Sequence, residues 1–261
     1  LMYDVNGKRG PNVWGKDVFG MNIYANKVEP IGKSEDPITI ESDCSRQGSG
    51  VYCSAYYLNG GNRLLLKRVC VYCSSSNSLD KSYYNDAELL GELLAKSNFD
   101  LVYGGSCVGT MHSVASSAKK HGSKIFGVMP KKLYNFGVSS DYCDEFILTE
   151  SMRERKAKLD ELSDSIVAMA GGFGTLEEVS EMIVQKQLGY NQKPIIFLNT
   201  NGFYDKLFEF FENIVDGKFA KDTATKLYYI ANTPQDVVEY LKNYTPLEKE
   251  IKPEDIYTSV K

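Results

Sequence analysis

From Lys67 to Asn243 the chain keeps one rhythm: a short apolar run, a longer stretch with helical spacing, then another apolar run. The runs at 68–73, 100–103, 124–129, 145–148, 165–170 and 194–198 read as strands. Between them, 80–96 sets Leu89, Leu90, Leu93 and Leu94 on one helical face. Residues 108–121, 151–163, 175–188, 203–215 and 234–243 also read as helices. Strands that alternate with helices pair in parallel, because each helix carries the chain back across the sheet in a right-handed crossover. The predicted fold class is α/β, a doubly wound Rossmann-like parallel sheet.

Ahead of this block the composition changes. Residues 1–66 are rich in Gly, Asn, Asp, Ser and Tyr and are punctuated by turn signals such as Asn6-Gly7, Gly10-Pro11 and Asn59-Gly60-Gly61. Short strands are predicted at 18–24 and 37–40, so this segment reads as a small loop-rich β appendage. Residues 244–261 are polar and read as a tail. The expected organisation is 1–66, 67–243 and 244–261. The chain opens on Leu1, which fits a reading frame that starts upstream, and its first residues carry no leader pattern.

Charge narrows the function. Lys and Arg number 30 against 34 Asp and Glu, a net charge of −4, which argues against a broad nucleic-acid or anionic-membrane surface. One small anionic ligand needs only a local positive site. No apolar run approaches the ~18 residues of a membrane-spanning helix. His112 and His121 are the only histidines, too few for a His-rich metal site. Cys70 and Cys73 have CxxC spacing, but positions three apart on a strand face opposite sides. They read as buried thiols, and no metal or cofactor is expected.

In an open parallel sheet, ligands sit beyond the carboxyl ends of the strands. Ser74-Ser75-Ser76, Gly104-Gly105-Ser106 and Gly171-Gly172-Phe173-Gly174-Thr175 follow predicted strands. The last of these opens a helix, where free N–H groups and the helix dipole favour an anion. The common nucleotide signatures GxGxxG and GxxxxGK[ST] are absent. Thr175 and Glu178 have capping-box spacing. Glu178 is therefore either an N3 cap or a carboxylate that acts on a bound sugar. Arg153, Arg155 and Lys156 open the preceding helix, either as a solvated face or as cations for an anionic ligand.

Met152-x-x-Arg155-Lys156, followed by Gly171-Gly172-Phe173-Gly174-Thr175-Leu176-Glu177-Glu178 with Glu178 23 positions beyond Arg155, resembles the LOG ("Lonely Guy") family. These are cytokinin riboside 5′-monophosphate phosphoribohydrolases. Val71-Tyr72-Cys73-Ser74-Ser75-Ser76, Tyr103-Gly104-Gly105 with Gly109 and Met111, Gly127-Val128-Met129-Pro130, and Gln187-Leu188-Gly189 with Lys193-Pro194 fit the same family. Ala170 stands where the family has proline, and Ser74, Ser106 and His112 each replace a glycine. Ser106 and His112 put a side chain where backbone would approach the ligand.

The resemblance implies hydrolysis of the N-glycosidic bond of an adenine-type nucleoside 5′-monophosphate, giving free base and ribose 5-phosphate. It implies Glu178 and Arg155 as catalytic residues. It implies Ser75, Ser76, Gly104, Gly105, Met152, Lys156, Gly171, Gly172, Phe173, Gly174 and Thr175 as substrate-binding residues. A cytoplasmic homodimer, packed through the helix after the glycine turn, is expected, with no cofactor. A nucleotide-binding module without turnover is the alternative.

The appendage carries a second resemblance. Asp4-Val5-Asn6-Gly7, Gly10-Pro11-Asn12, Gly15-Lys16-Asp17-Val18-Phe19 and Cys44…Gly50…Cys53-Ser54-Ala55 are similar to the C-terminal end of type IV pilin-like or type II secretion pseudopilin proteins. That likeness implies an exported segment with Cys44 and Cys53 close enough to pair, although a cytoplasmic enzyme keeps them reduced. It adds the reading of a secretion or pilus component joined to an enzyme.

Overall fold

The computed structural model describes residues 66–246 and four strands ahead of them, β1 (Val13–Lys16), β2 (Asn22–Tyr24), β3 (Ile40–Gln47) and β4 (Gly50–Tyr57). The chain divides into two compact units, Leu1–Thr39 and Ile40–Lys261. In the first, β1 and β2 pair antiparallel. In the second, β3 and β4 form an antiparallel ladder whose register sets Cys44 opposite Cys53. Of the strand expected at 18–24 the described residues hold Asn22–Tyr24 as strand, and of the one expected at 37–40 they hold Ile40; the remaining positions of both lie outside the described residues. The pilin-like resemblance falls largely outside the described residues.

The second unit holds a seven-stranded, wholly parallel sheet. Its strands are β5 (Arg68–Tyr72), β6 (Asp100–Tyr103), β7 (Ile125–Pro130), β8 (Glu145–Thr149), β9 (Ser165–Ala168), β10 (Ile195–Leu198) and β11 (Tyr229–Ala231). The order is β11-β10-β9-β5-β6-β7-β8. The chain starts at the centre, runs out to β8, then returns to the other side of β5. The direction of winding reverses between β5 and β9, and that is where an open α/β sheet leaves a crevice.

The strands form because their apolar residues have two helical layers to bury against. Val69, Val71 and Cys73 face one layer, made by α1 (Lys81–Lys96), α2 (Gly109–Lys120) and α7 (Pro234–Asn243). Cys70 and Tyr72 face the other, made by α4 (Met152–Leu162), α5 (Phe173–Gln187) and α6 (Asp205–Asp216). A four-residue α3 (Lys131–Tyr134) follows β7. The two cysteines of the CxxC spacing thus lie on opposite faces of the sheet. Burial pushes both thiols up, Cys73 to about 12, so both stay protonated.

Helix starts follow their caps. The Asp80 carboxylate accepts the Ser82 N–H at 2.9 Å, and Thr233 with Asp236 closes a capping box on α7. Ser151 accepts the Glu154 N–H at 3.1 Å, while the Glu154 carboxylate reaches back to the Glu150 N–H at 2.7 Å. The predicted start of α5 is corrected. The helix begins at Phe173, with Gly172 as a cap that has no side chain, so Thr175 lies in the third helical position and Glu178 a turn further on. Glu178 is not an N3 cap, and the capping reading of its spacing fails.

Candidate active site

The switch point brings together three chain segments. β5 leaves the sheet into the serine turn and β9 into the glycine turn, while α4 starts beside them after β8. The serine turn is bound down onto α2: Ser74 N–H donates to the Thr110 hydroxyl at 3.0 Å, and Asn77 accepts the Gly109 N–H at 2.8 Å. The glycine turn is bound to the serine turn by Thr175, whose hydroxyl donates to the Cys73 carbonyl at 3.1 Å. Gly171 permits this latch, since a Cβ there would lie 2.2 Å from the Thr175 hydroxyl oxygen. The Tyr204 hydroxyl fixes the turn from below, donating to the Met169 carbonyl at 2.6 Å.

A cleft of about 450 Å³ lies between these segments. Ser75, Gly104, Arg155, Gly174, Thr175 and Glu178 line it. Arg155 Nη1 donates to Glu178 Oε1 at 2.6 Å, with the two side chains only 12% and 9% exposed. Arg155 Nε is spent on the Val128 carbonyl at 3.1 Å, which fixes the guanidinium plane. Burial pushes the Glu178 carboxyl above the usual carboxylate range, against the pull of the Arg155 charge. The guanidinium lies so close to β6 that a Cβ on Gly104 would sit 2.4 Å from Arg155 Nη2. Gly104→Ala is expected to displace Arg155, and any activity that uses the Arg155–Glu178 pair should fall about 10²-fold, since ~1 Å of misplacement has effects of that size. The check is steady-state rates beside a melting curve that shows the fold retained.

The helix opening supplies the complementary charge. The N–H groups of Phe173, Gly174 and Thr175 begin α5 without intrahelical acceptors. A Cβ added at Gly172 or Gly174 would meet nothing within 4 Å, so both glycines face open space. An anion there gains the free N–H groups and the helix dipole.

Several other residues predicted for the site turn away from the cleft. Ser76 is exposed and its hydroxyl accepts the Ser78 N–H. Gly105, at φ +74, packs its backbone against the Phe146 ring. Met152 is 49% and Phe173 92% exposed, and neither lines the cleft. Lys156 points to the far side of Glu178, where it pairs with Glu177 and with Glu181 at 2.6 Å. There it lines a separate cavity of about 200 Å³ with Tyr72, Asp160 and Gln185. An apolar side of the cleft was not predicted: Val108, Met111, Met129, Leu133 and Val138 form it. Met129 at the end of a strand and Met111 in the first turn of a helix were its only visible signals. Among the described residues, no group of three or more His, Cys, Asp or Glu is placed to hold a metal ion.

Fold and site together define a doubly wound α/β protein with a cleft that opens onto a helix N-terminus and a buried Arg–Glu pair at its switch point. Residues 111–241 match the family described as possible lysine decarboxylase. A probable cytokinin riboside 5′-monophosphate phosphoribohydrolase of Oryza sativa subsp. japonica is 37% identical over 185 residues, 71% of this chain and 76% of that protein. A cytokinin riboside 5′-monophosphate phosphoribohydrolase of Arabidopsis thaliana is 35% identical over 180 residues, 69% of this chain and 84% of that protein. The molybdenum cofactor binding protein of Rippkaea orientalis superposes with a TM-score of 0.53 at 28% identity, covering 67% of this chain and 95% of that one. The chain belongs to the LOG family.

Proposed function

We propose that this chain hydrolyses the N-glycosidic bond of adenine-type nucleoside 5′-monophosphates. The carrying observation is the buried Arg155–Glu178 pair in the same cleft as the free N–H groups of Gly174 and Thr175. The 5′-phosphate binds at the opening of α5. The Thr175 hydroxyl is committed to Cys73, so Thr175 serves the phosphate through its N–H. The sugar then lies over Glu178. As the bond from C1′ to the base breaks, its electron pair leaves with the base and positive charge builds on the ribose. The Glu178 carboxylate faces that charge and takes a proton from the water whose oxygen bonds to C1′; that proton then passes to the departing base, which leaves neutral and returns Glu178 to its ionised form. Its raised pKa suits a group that must accept a proton near neutral pH.

The related fold of a cofactor-binding protein keeps binding without turnover as the second reading. A carboxylate buried against an arginine favours the enzyme, because a pure anion site gains nothing from a nearby negative charge. Incubation with AMP and with N6-prenyl-AMP, followed by chromatography of the free base, tests the proposal. Release of base from either is expected, and binding without release supports the carrier reading.

The working form in this proposal is a cytoplasmic homodimer. On α5, Val179 and Met182 are buried in the chain's own core, and Phe173 and Val184 remain as exposed apolar surface. α6 adds more, since it has no buried residue and exposes Phe210. Light scattering at micromolar concentration is expected to give twice the 29.2 kDa of one chain. A value of one chain's mass counts against the dimer. The boundaries 1–66, 67–243 and 244–261 are part of the same proposal.

A further inference from the structure

Residues 131–144, which run from α3 back to β8, contribute Leu133 and Val138 to the apolar side of the cleft. This segment has little core of its own: Leu133, Tyr134 and Phe136 are exposed. Two side chains from the 104–112 stretch hold it. The Ser106 hydroxyl donates to the Val138 carbonyl at 3.1 Å. The His112 ring packs on the Tyr142 ring, 5.4 Å between centroids. Backbone ties are few. Cys107 N–H donates to Val138 at 2.9 Å, Ser140 N–H donates to Gly105 at 3.0 Å, and Ser106 and Ser139 form an isolated bridge.

These are the two positions where a side chain replaces a glycine and was expected to crowd the ligand. His112 does not line the cleft, whereas Ser106 does, with its hydroxyl turned onto the Val138 carbonyl.

We propose that Ser106 and His112 are specificity-determining residues, fastening 131–144 as a fixed apolar wall that limits the size of base the cleft accepts. The inference rests on the phosphoribohydrolase reading for the identity of the ligand. A wall held by side chains resists displacement by a bulkier base, and selection of this kind works by exclusion. Without these two ties the stretch around Val138 keeps its backbone bonds, while Tyr134 on Phe146 and Asp144 on Lys119 still anchor its ends, so the middle of the wall yields and a substituent on the base costs less.

The test compares the parent chain with Ser106→Ala, His112→Ala and the double variant. For Ser106→Ala, the ratio of kcat/KM for N6-prenyl-AMP to that for AMP is expected to rise about fivefold, the effect of one hydrogen bond. The double variant is expected to exceed it. Amide hydrogen exchange at Cys107 and Ser140 is expected to quicken in Ser106→Ala. Equal changes for the two nucleotides overturn the assignment. If the parent chain turns over neither nucleotide, the phosphoribohydrolase reading fails, and the ratio of the two dissociation constants replaces kcat/KM. An unchanged ratio or unchanged exchange then overturns the wall.

Discussion

Glu178→Gln is expected to lower the release of base from AMP by about 10²- to 10⁴-fold, the usual range for a lost general base. Nucleotide affinity and melting temperature should stay near those of the parent chain. Affinity persists because the opening of α5 and its free N–H groups are untouched. Stability persists because a glutamine carbonyl still accepts the Arg155 N–H at the same place. What disappears is the negative charge and the ability to take a proton. The capping explanation of this residue made the opposite forecast, since glutamine serves an N3 position as well as glutamate does. The start of α5 at Phe173 has already removed that explanation. A Glu178→Gln chain that releases base at near the parent rate sinks the mechanism. Single-turnover release beside a binding isotherm separates the two effects.

The start of α5, two residues ahead of the predicted one, shows what sequence pattern can reach. The strands and most helices were legible because each buries apolar residues at its own period, and because Asp80, Ser151 and Thr233 mark helix starts with side-chain acceptors. α5 has no such marker. Gly172 and Gly174 argue locally for a loop, and only the packing of Thr175 onto Cys73 makes the glycine turn run straight into a helix. β11 went unseen because it is a three-residue edge strand that forms on β10 and not by local preference. Within the site, the Arg155–Glu178 pair followed from the paired motifs, and the structure sets the two in contact. Lys156 lay beyond reach for a simple reason. Neighbours on a helix point about 100° apart; here Arg155 turns to Glu178 and Lys156 to Glu177 and Glu181, and sequence order does not say which turns where. The partners of Ser106 and His112 were out of reach in the same way: Val138 and Tyr142 belong to a loop with no periodic signal.

Arg155→Met is expected to cost on the order of 10²-fold at pH 7 and to recover part of that loss as the pH is raised. The reason is the charge balance at Glu178. Burial already holds its carboxyl above the usual range, and the Arg155 guanidinium is the chief opposing influence. Removing the guanidinium drives the carboxyl higher, so at neutral pH a smaller fraction is ionised and able to take a proton. The acid limb of kcat therefore moves to higher pH. Stability follows with a definite sign. A carboxyl whose folded-state pKa exceeds its unfolded value stabilises the fold most below the unfolded pKa, and that contribution is lost as the pH rises through the folded one. The Arg155→Met chain should accordingly melt lower as the pH rises through that window, and Glu178→Gln in the same chain should abolish the trend. The coupling between the two substitutions, measured as a double-mutant cycle on melting temperature, reports their contact directly. If Arg155 serves only to grip the phosphate, KM rises and the acid limb stays where it was. That result would move Arg155 from the carboxylate to the ligand.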